Sequence, residues 1–113
     1  MKNKIHYTAE SRRDLDEIWN YIVSELQNPS AAERVVNGIM DDVDRLEDFA
    51  ELGPPLSAIT DVESDYRFLV SGNYLAIYRV SDRDVYVDRV FYGRRDYLRI
   101  LFGNTQEDAT QSQ

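Results

Sequence analysis

Cysteine is absent from this 113-residue chain, which removes disulfides, thiolate metal ligands and cysteine nucleophiles together. Histidine is nearly absent. His6 stands alone, so neither a histidine-rich metal centre nor a serine–histidine–carboxylate arrangement can draw on more than one imidazole. No apolar run approaches the ~20 residues of a membrane-spanning helix. The opening Met1-Lys2-Asn3-Lys4 leads into an alternating segment rather than an unbroken apolar stretch, so no secretory signal is read and the cytoplasm is the expected location, with no membrane partner. There is no Walker loop, no G-x-G-x-x-G, no metal-ligand spacing and no internal repeat, and therefore no cofactor or metal is expected.

What the chain does have is charge, unevenly placed. The formal net charge is −8. Residues 1–65 carry 15 acids against 6 bases, whereas residues 66–113 carry 6 acids against 7 bases, all of them arginine. Arginine is the better residue for bidentate contact with carboxylate or phosphate. An acidic chain that gathers its arginines in one stretch is arranging a surface there, or pairing each arginine with a nearby acid. Both readings stay open for any single arginine.

The length fits one domain, expected over residues 1–102, followed by a polar, disordered tail over 103–113. Residues 4–8 alternate as a short strand, with Ile5 and Tyr7 on one face and His6 on the other. Thr8 suits a helix N-cap, and the apolar positions Leu15, Ile18, Trp19, Ile22, Val23 and Leu26 recur at helical spacing until Asn28-Pro29. Ser30-Ala31-Ala32-Glu33 reads as a capping box opening a second helix, whose inner face is Val35, Val36, Ile39, Met40, Val43, Leu46 and Phe49. Gly53-Pro54-Pro55 stops helix, and residues 50–65 read as an irregular crossing. Residues 66–70, 74–80 and 84–92 are strand-like, joined by tight turns, and residues 96–102 suit a short helix. The order β-α-α-β-β-β-α predicts an α+β fold, a helical hairpin on a small, mainly antiparallel sheet whose far face is open or covered by a partner.

Strict alternation puts Tyr74, Ala76 and Tyr78 on one face of their strand and Leu75, Ile77 and Arg79 on the other; on the next it sets Val85, Val87, Arg89 and Phe91 against Tyr86, Asp88, Val90 and Tyr92. Asp41 and Asp44 share a helix face, but amid solvated acids they read as surface. Tyrosine beside arginine can stack bases or complete a core edge. Arg94-Arg95, between strand and helix and beside Gly93, can pin an anionic partner or pair with Asp96 or Asp88.

Four segments, TAESRRDLDEIWNYI, Gly53-Pro54-Pro55-Leu56, YRFLVSGNYLAIYRV and VFYGRRDYLRILF, in this order and spacing, resemble the RelE/ParE superfamily of type II toxin–antitoxin toxins, in its ParE-like, plasmid-stabilisation branch. The resemblance covers residues 4–102. It implies a toxin neutralised by a cognate antitoxin that covers its working face, with one of two activities: cleavage of messenger RNA on the ribosome (RelE-like), or poisoning of DNA gyrase without nuclease action (ParE-like). The nucleases often carry two bases two residues apart on the first hairpin strand, where this chain has Arg67 and Leu69. They often carry an arginine after the aromatic that opens the next strand, where Leu75 follows Tyr74. A base after the last strand's glycine is kept as Arg95, and the late catalytic tyrosine falls in the apolar Ile100-Leu101-Phe102. A histidine is frequent in ParE-like chains where Tyr92 stands. The implied reading is a gyrase inhibitor whose target-binding residues are Arg67, Arg79, Arg89, Arg94, Arg95 and Tyr97, with Leu69, Leu75 and Ile77 contacting the antitoxin. As a nuclease it would rely on Arg67 and Arg95. A third reading is an attenuated relative that mainly binds antitoxin. The net charge of −8 weighs against direct nucleic-acid binding.

Overall fold

A computed structural model describes residues 2–58 and 64–93. In chain order these form β1 (Lys4–Tyr7), α1 (Ala9–Ser24), α2 (Pro29–Asp44), short 3-10 turns at Arg45–Glu47 and Leu56–Ala58, β2 (Tyr66–Ser71), β3 (Tyr74–Ser81) and β4 (Asp84–Tyr92). The sheet order is β1-β4-β3-β2. β1 runs parallel to β4, and the other pairs are antiparallel. The helical hairpin lies on one face, as the sequence pattern requires. The expected helix at 96–102, the tail at 103–113 and the corner residues Arg94, Arg95 and Tyr97 lie outside the described residues.

Both helices start on side-chain caps. Thr8 Oγ accepts the Ser11 amide at 3.1 Å and donates to the Asp88 carbonyl, so the cap also ties the start of α1 to β4. The second cap is not the expected Ser30 box. Asn28 Oδ1 accepts the Ala31 amide at 3.1 Å and Pro29 takes the first helical position. Proline has no amide to leave unpaired there and its φ is already helical, so Asn-Pro starts the helix two residues earlier.

Between the layers, Leu15, Ile39, Val43 and Leu46 meet Leu69, Ala76, Tyr78, Val85, Val87 and Val90. A second apolar cluster sits on the far face, where Leu56 packs with Leu75, Ile77 and Phe91. That face is therefore not left bare, as the crossing segment folds over it. The apolar stripe of the helices is broader than the core it covers: Trp19, Leu26, Met40 and Phe49 keep large exposed areas, Phe49 because α2 has already ended at Asp44.

The alternation read along β4 fails at one place. Ile77 faces Arg89 and Tyr78 faces Val87, so Asp88 is an extra residue in β4. This β-bulge shifts the phase of all that follows. Val85, Val87 and Val90 therefore share the helix side, while Phe91 lies on the far side.

Gly53 holds the crossing segment against the sheet. Its amide donates to Tyr78 Oη at 2.9 Å, Tyr78 Oη donates to the Ala50 carbonyl at 2.9 Å, and the Phe68 amide donates to the Pro54 carbonyl at 3.1 Å. A β-carbon at Gly53 would collide with the Phe68 carbonyl and stand 2.9 Å from Tyr78 Oη. Gly53→Ala should therefore cost about 1–3 kcal/mol. Gly38→Ala, inside α2 with nothing within 4 Å, should gain about 1 kcal/mol. Urea unfolding with unchanged m-values measures both.

Tyr7 offers a second test. Among the described residues its hydroxyl is buried without a hydrogen-bond partner. Burial first, and then the Asp44 charge, push its pKa up from 10.0 to about 12. The folded state thus holds this proton more tightly than the unfolded chain does. The contribution is complete below about pH 10 and is lost as pH rises through about 12. Tyr7→Phe should flatten that alkaline decline in unfolding free energy, leaving stability at neutral pH within about 1 kcal/mol of the parent.

Candidate target-binding surface

Of the arginines expected to face a target, the three among the described residues, Arg67, Arg79 and Arg89, are each engaged within the chain. Arg67, on edge strand β2, donates from its guanidinium to the Gly53 carbonyl at 2.6 Å. Arg79 on β3 pairs with Asp88 at 3.3 Å and lies 4.4 Å from the Tyr86 ring centroid. His6 stacks on that same ring at 4.9 Å and meets Asp84 at 2.8 Å. The register aligns His6, Tyr86, Arg79 and Tyr66 in one row across all four strands. The Tyr66 phenol is pushed up by burial and by the neighbouring Asp88 charge. Asp88 is thus taken by Arg79.

Arg89 is the most firmly held. β1 ends at Tyr7, so β4 continues beyond its neighbour with an unpaired edge. Asp14, buried on α1, fills that gap. Its Oδ2 accepts the Val90 amide at 2.9 Å and Arg89 Nε at 2.8 Å, and its Oδ1 accepts the second guanidinium contact at 3.0 Å. Arg89 starts on the face of Phe91, 5.0 Å from that ring, and reaches round the open edge to α1. The Asp14 hydrogen bonds raise its pKa above the ordinary arginine value. Arg89 thus joins the bulge to α1.

The residues expected to touch an antitoxin are also inside. Leu69 belongs to the core beneath the helices, and Leu75 and Ile77, each 2% exposed, belong to the far-face cluster. Tyr92, by contrast, is 59% exposed and meets Tyr74 edge to face at 5.3 Å. Gly93, at φ +77°, donates its amide to the Asn73 carbonyl and fixes where the chain leaves β4. Among the described residues no group of histidine, aspartate and glutamate could hold a metal ion, and no helix is long and apolar enough to cross a membrane.

Sequence reading missed Asp14. Its signal was present, since it sits one turn into a capped helix and on the apolar side of α1. A carboxylate there must have a partner.

Comparison with solved structures places this architecture. The chromosomal ParDE TA system from P. aeruginosa matches with TM-score 0.69 and 23% identity, over 82% of this chain and 98% of that one. The toxin–antitoxin complex RelBE2 from Mycobacterium tuberculosis matches with TM-score 0.54 and 22% identity, over 81% and 99%. Two helices on a four-stranded mixed sheet make this an α+β fold of the RelE/ParE kind. No curated protein matches. The model of the ParE toxin of type II toxin–antitoxin systems, parDE, matches residues 5–97, and the chain belongs to that family.

The Asp14 clamp can be tested directly. Asp14→Ala leaves the Val90 amide and a guanidinium without their acceptor and should cost about 3 kcal/mol. Arg89→Lys keeps the charge but loses the fork, and should cost less than half as much. Chemical denaturation of the two variants gives the ranking.

Proposed function

We propose that this ParE-family toxin arrests growth by binding DNA gyrase in the cytoplasm, without cutting nucleic acid, and that a cognate antitoxin holds it inactive. The observation that carries the reading is the burial of Leu69 and Leu75, at the places where the resemblance would put nuclease bases. Each lies in an apolar cluster, so neither position offers a cation to a phosphate. The two bases on that hairpin are also engaged, Arg67 with the Gly53 carbonyl and Arg79 with Asp88. Acid–base cleavage of RNA needs donors and acceptors at the scissile phosphate, and few remain. The net charge of −8 also opposes a nucleic-acid substrate. Arg94, Arg95 and Tyr97 follow Tyr92 in sequence and, with its exposed ring, make up the proposed contact. The antitoxin partner is supported by the family and by the complexes named in the matched structures.

Purified toxin at a stoichiometric ratio should block supercoiling by gyrase, and the block should be lost in Arg94→Ala/Arg95→Ala. Codon-positioned cuts in translated messages, read by primer extension, would instead establish the ribosome-dependent nuclease. Undisturbed growth on induction, with antitoxin still bound, would establish an attenuated binder.

A further inference from the structure

The end of β4 is held from two sides. On the β3 side Tyr74 faces Tyr92, and the Gly93 amide donates to the Asn73 carbonyl. On the other side β1 has already stopped. Among the described residues, the one hydrogen bond made to that edge beyond the bulge runs from the Val90 amide to Asp14. A strand end held on one side only opens locally at little cost. Asp14 therefore decides how firmly the last residues of β4 keep their place, and with them the exposed ring of Tyr92.

The same carboxylate sets what stands beside that ring. α1 and β4 advance in one direction, for Thr8 bonds to Asp88 and, further along both, Asp14 bonds to Val90. Seven residues make two helical turns, about 10 Å, and return to the same flank. Tyr21 thus lies on Asp14's flank of α1, beyond the clamp and near the end of β4. Glu10 and Glu17 share that flank. Arg89 is raised first by its Asp14 hydrogen bonds and, less, by the charges of Glu10 and Glu17, as this flank's closeness to β4 requires. Tyr74 joins the two exposed rings. It meets Tyr92 edge to face at 5.3 Å, and its phenol is pushed up by burial, then by Tyr92 and Tyr21. Tyr21 is 58% exposed and Tyr92 59%. Tyrosine and arginine are residue types that interface hot spots favour, and Arg94 and Arg95 follow in the chain.

We propose that Tyr21 is a further target-contacting residue beside Tyr92, and that Asp14 is the positioning residue that keeps the two rings on one face. This rests on the reading that the toxin grips a protein through the end of β4, whichever protein that is.

The test is a mutant cycle on the full chain. It is read as the toxin level that arrests growth on graded induction, with folding checked by circular dichroism. Asp14→Ala should lower potency at least about tenfold, and Asp14→Asn, which keeps an acceptor for the Val90 amide, should recover most of that loss. In Tyr21→Ala/Tyr92→Ala the further change Asp14→Ala should add less than about twofold, because the rings it positions are gone. A merely structural Asp14 would carry its full loss into that background, and that result overturns the proposal. So does full potency in Tyr21→Ala. Hydrogen exchange supplies a readout that needs no toxicity. In Asp14→Ala the Gly93 amide should exchange at least about tenfold faster relative to the Phe68 amide at the opposite edge. Equal acceleration of both, or of neither, overturns the positioning role. Supercoiling by gyrase is assayed in parallel with the parent toxin. Intact supercoiling together with the expected cycle sinks gyrase as the target and leaves Asp14 and Tyr21 in these roles; blocked supercoiling without the cycle does the reverse.

Discussion

Where β1 stops at Tyr7, β4 still has backbone to satisfy, and the fold turns on how that is done. A buried carboxylate from α1 supplies the missing acceptor, binding the Val90 amide and the Arg89 guanidinium together. An unpaired amide at the core margin would be costly, and so would a lone buried aspartate. Each cancels the other, and the contact also fixes α1 above β4. Thr8 strengthens the same junction, capping α1 while it donates to the carbonyl of Asp88, the bulge residue. Strand end, helix start and bulge are thus one structure.

The opposite edge is handled by backbone. The chain after α2 runs along β2, and Tyr78, fully buried in the centre of the sheet, sends its hydroxyl out to hold Ala50 and Gly53. Arg67 adds a third contact to the Gly53 carbonyl. A glycine is required because the approach leaves no room for a β-carbon. The Gly-Pro-Pro signal seen in the sequence as a stop is, in the fold, a seal on the edge strand.

Periodicity made the helices, the three later strands and their turns legible, and the faces of β3 came out as read. Tyr74, Ala76 and Tyr78 look toward the helices, and Leu75 and Ile77 look away. What was not legible depended on relations between distant residues. No local rule distinguishes Asp88 as a bulge, because the bulge is defined by pairing with β3. Arginine counts showed a concentrated charge but not that Arg79 and Arg89 have acids 9 and 75 residues away as partners. Hydrophobic spacing marked Trp19 and Met40 as apolar-face residues, and it did not show that they stay partly uncovered in the packed hairpin.

The bulge bears on how roles can be carried between relatives. In a strand, neighbouring positions look in opposite directions, so a pairwise match that slides past Asp88 without a gap exchanges inside for outside over the rest of β4. Val90 would inherit the duties of a far-face residue, and Phe91 those of one beneath the helices. At identities near those of the two solved relatives, 22% and 23%, such a slip leaves little trace in the score. Correspondence in this strand is carried by geometry, with the carboxylate that meets its open edge as the landmark.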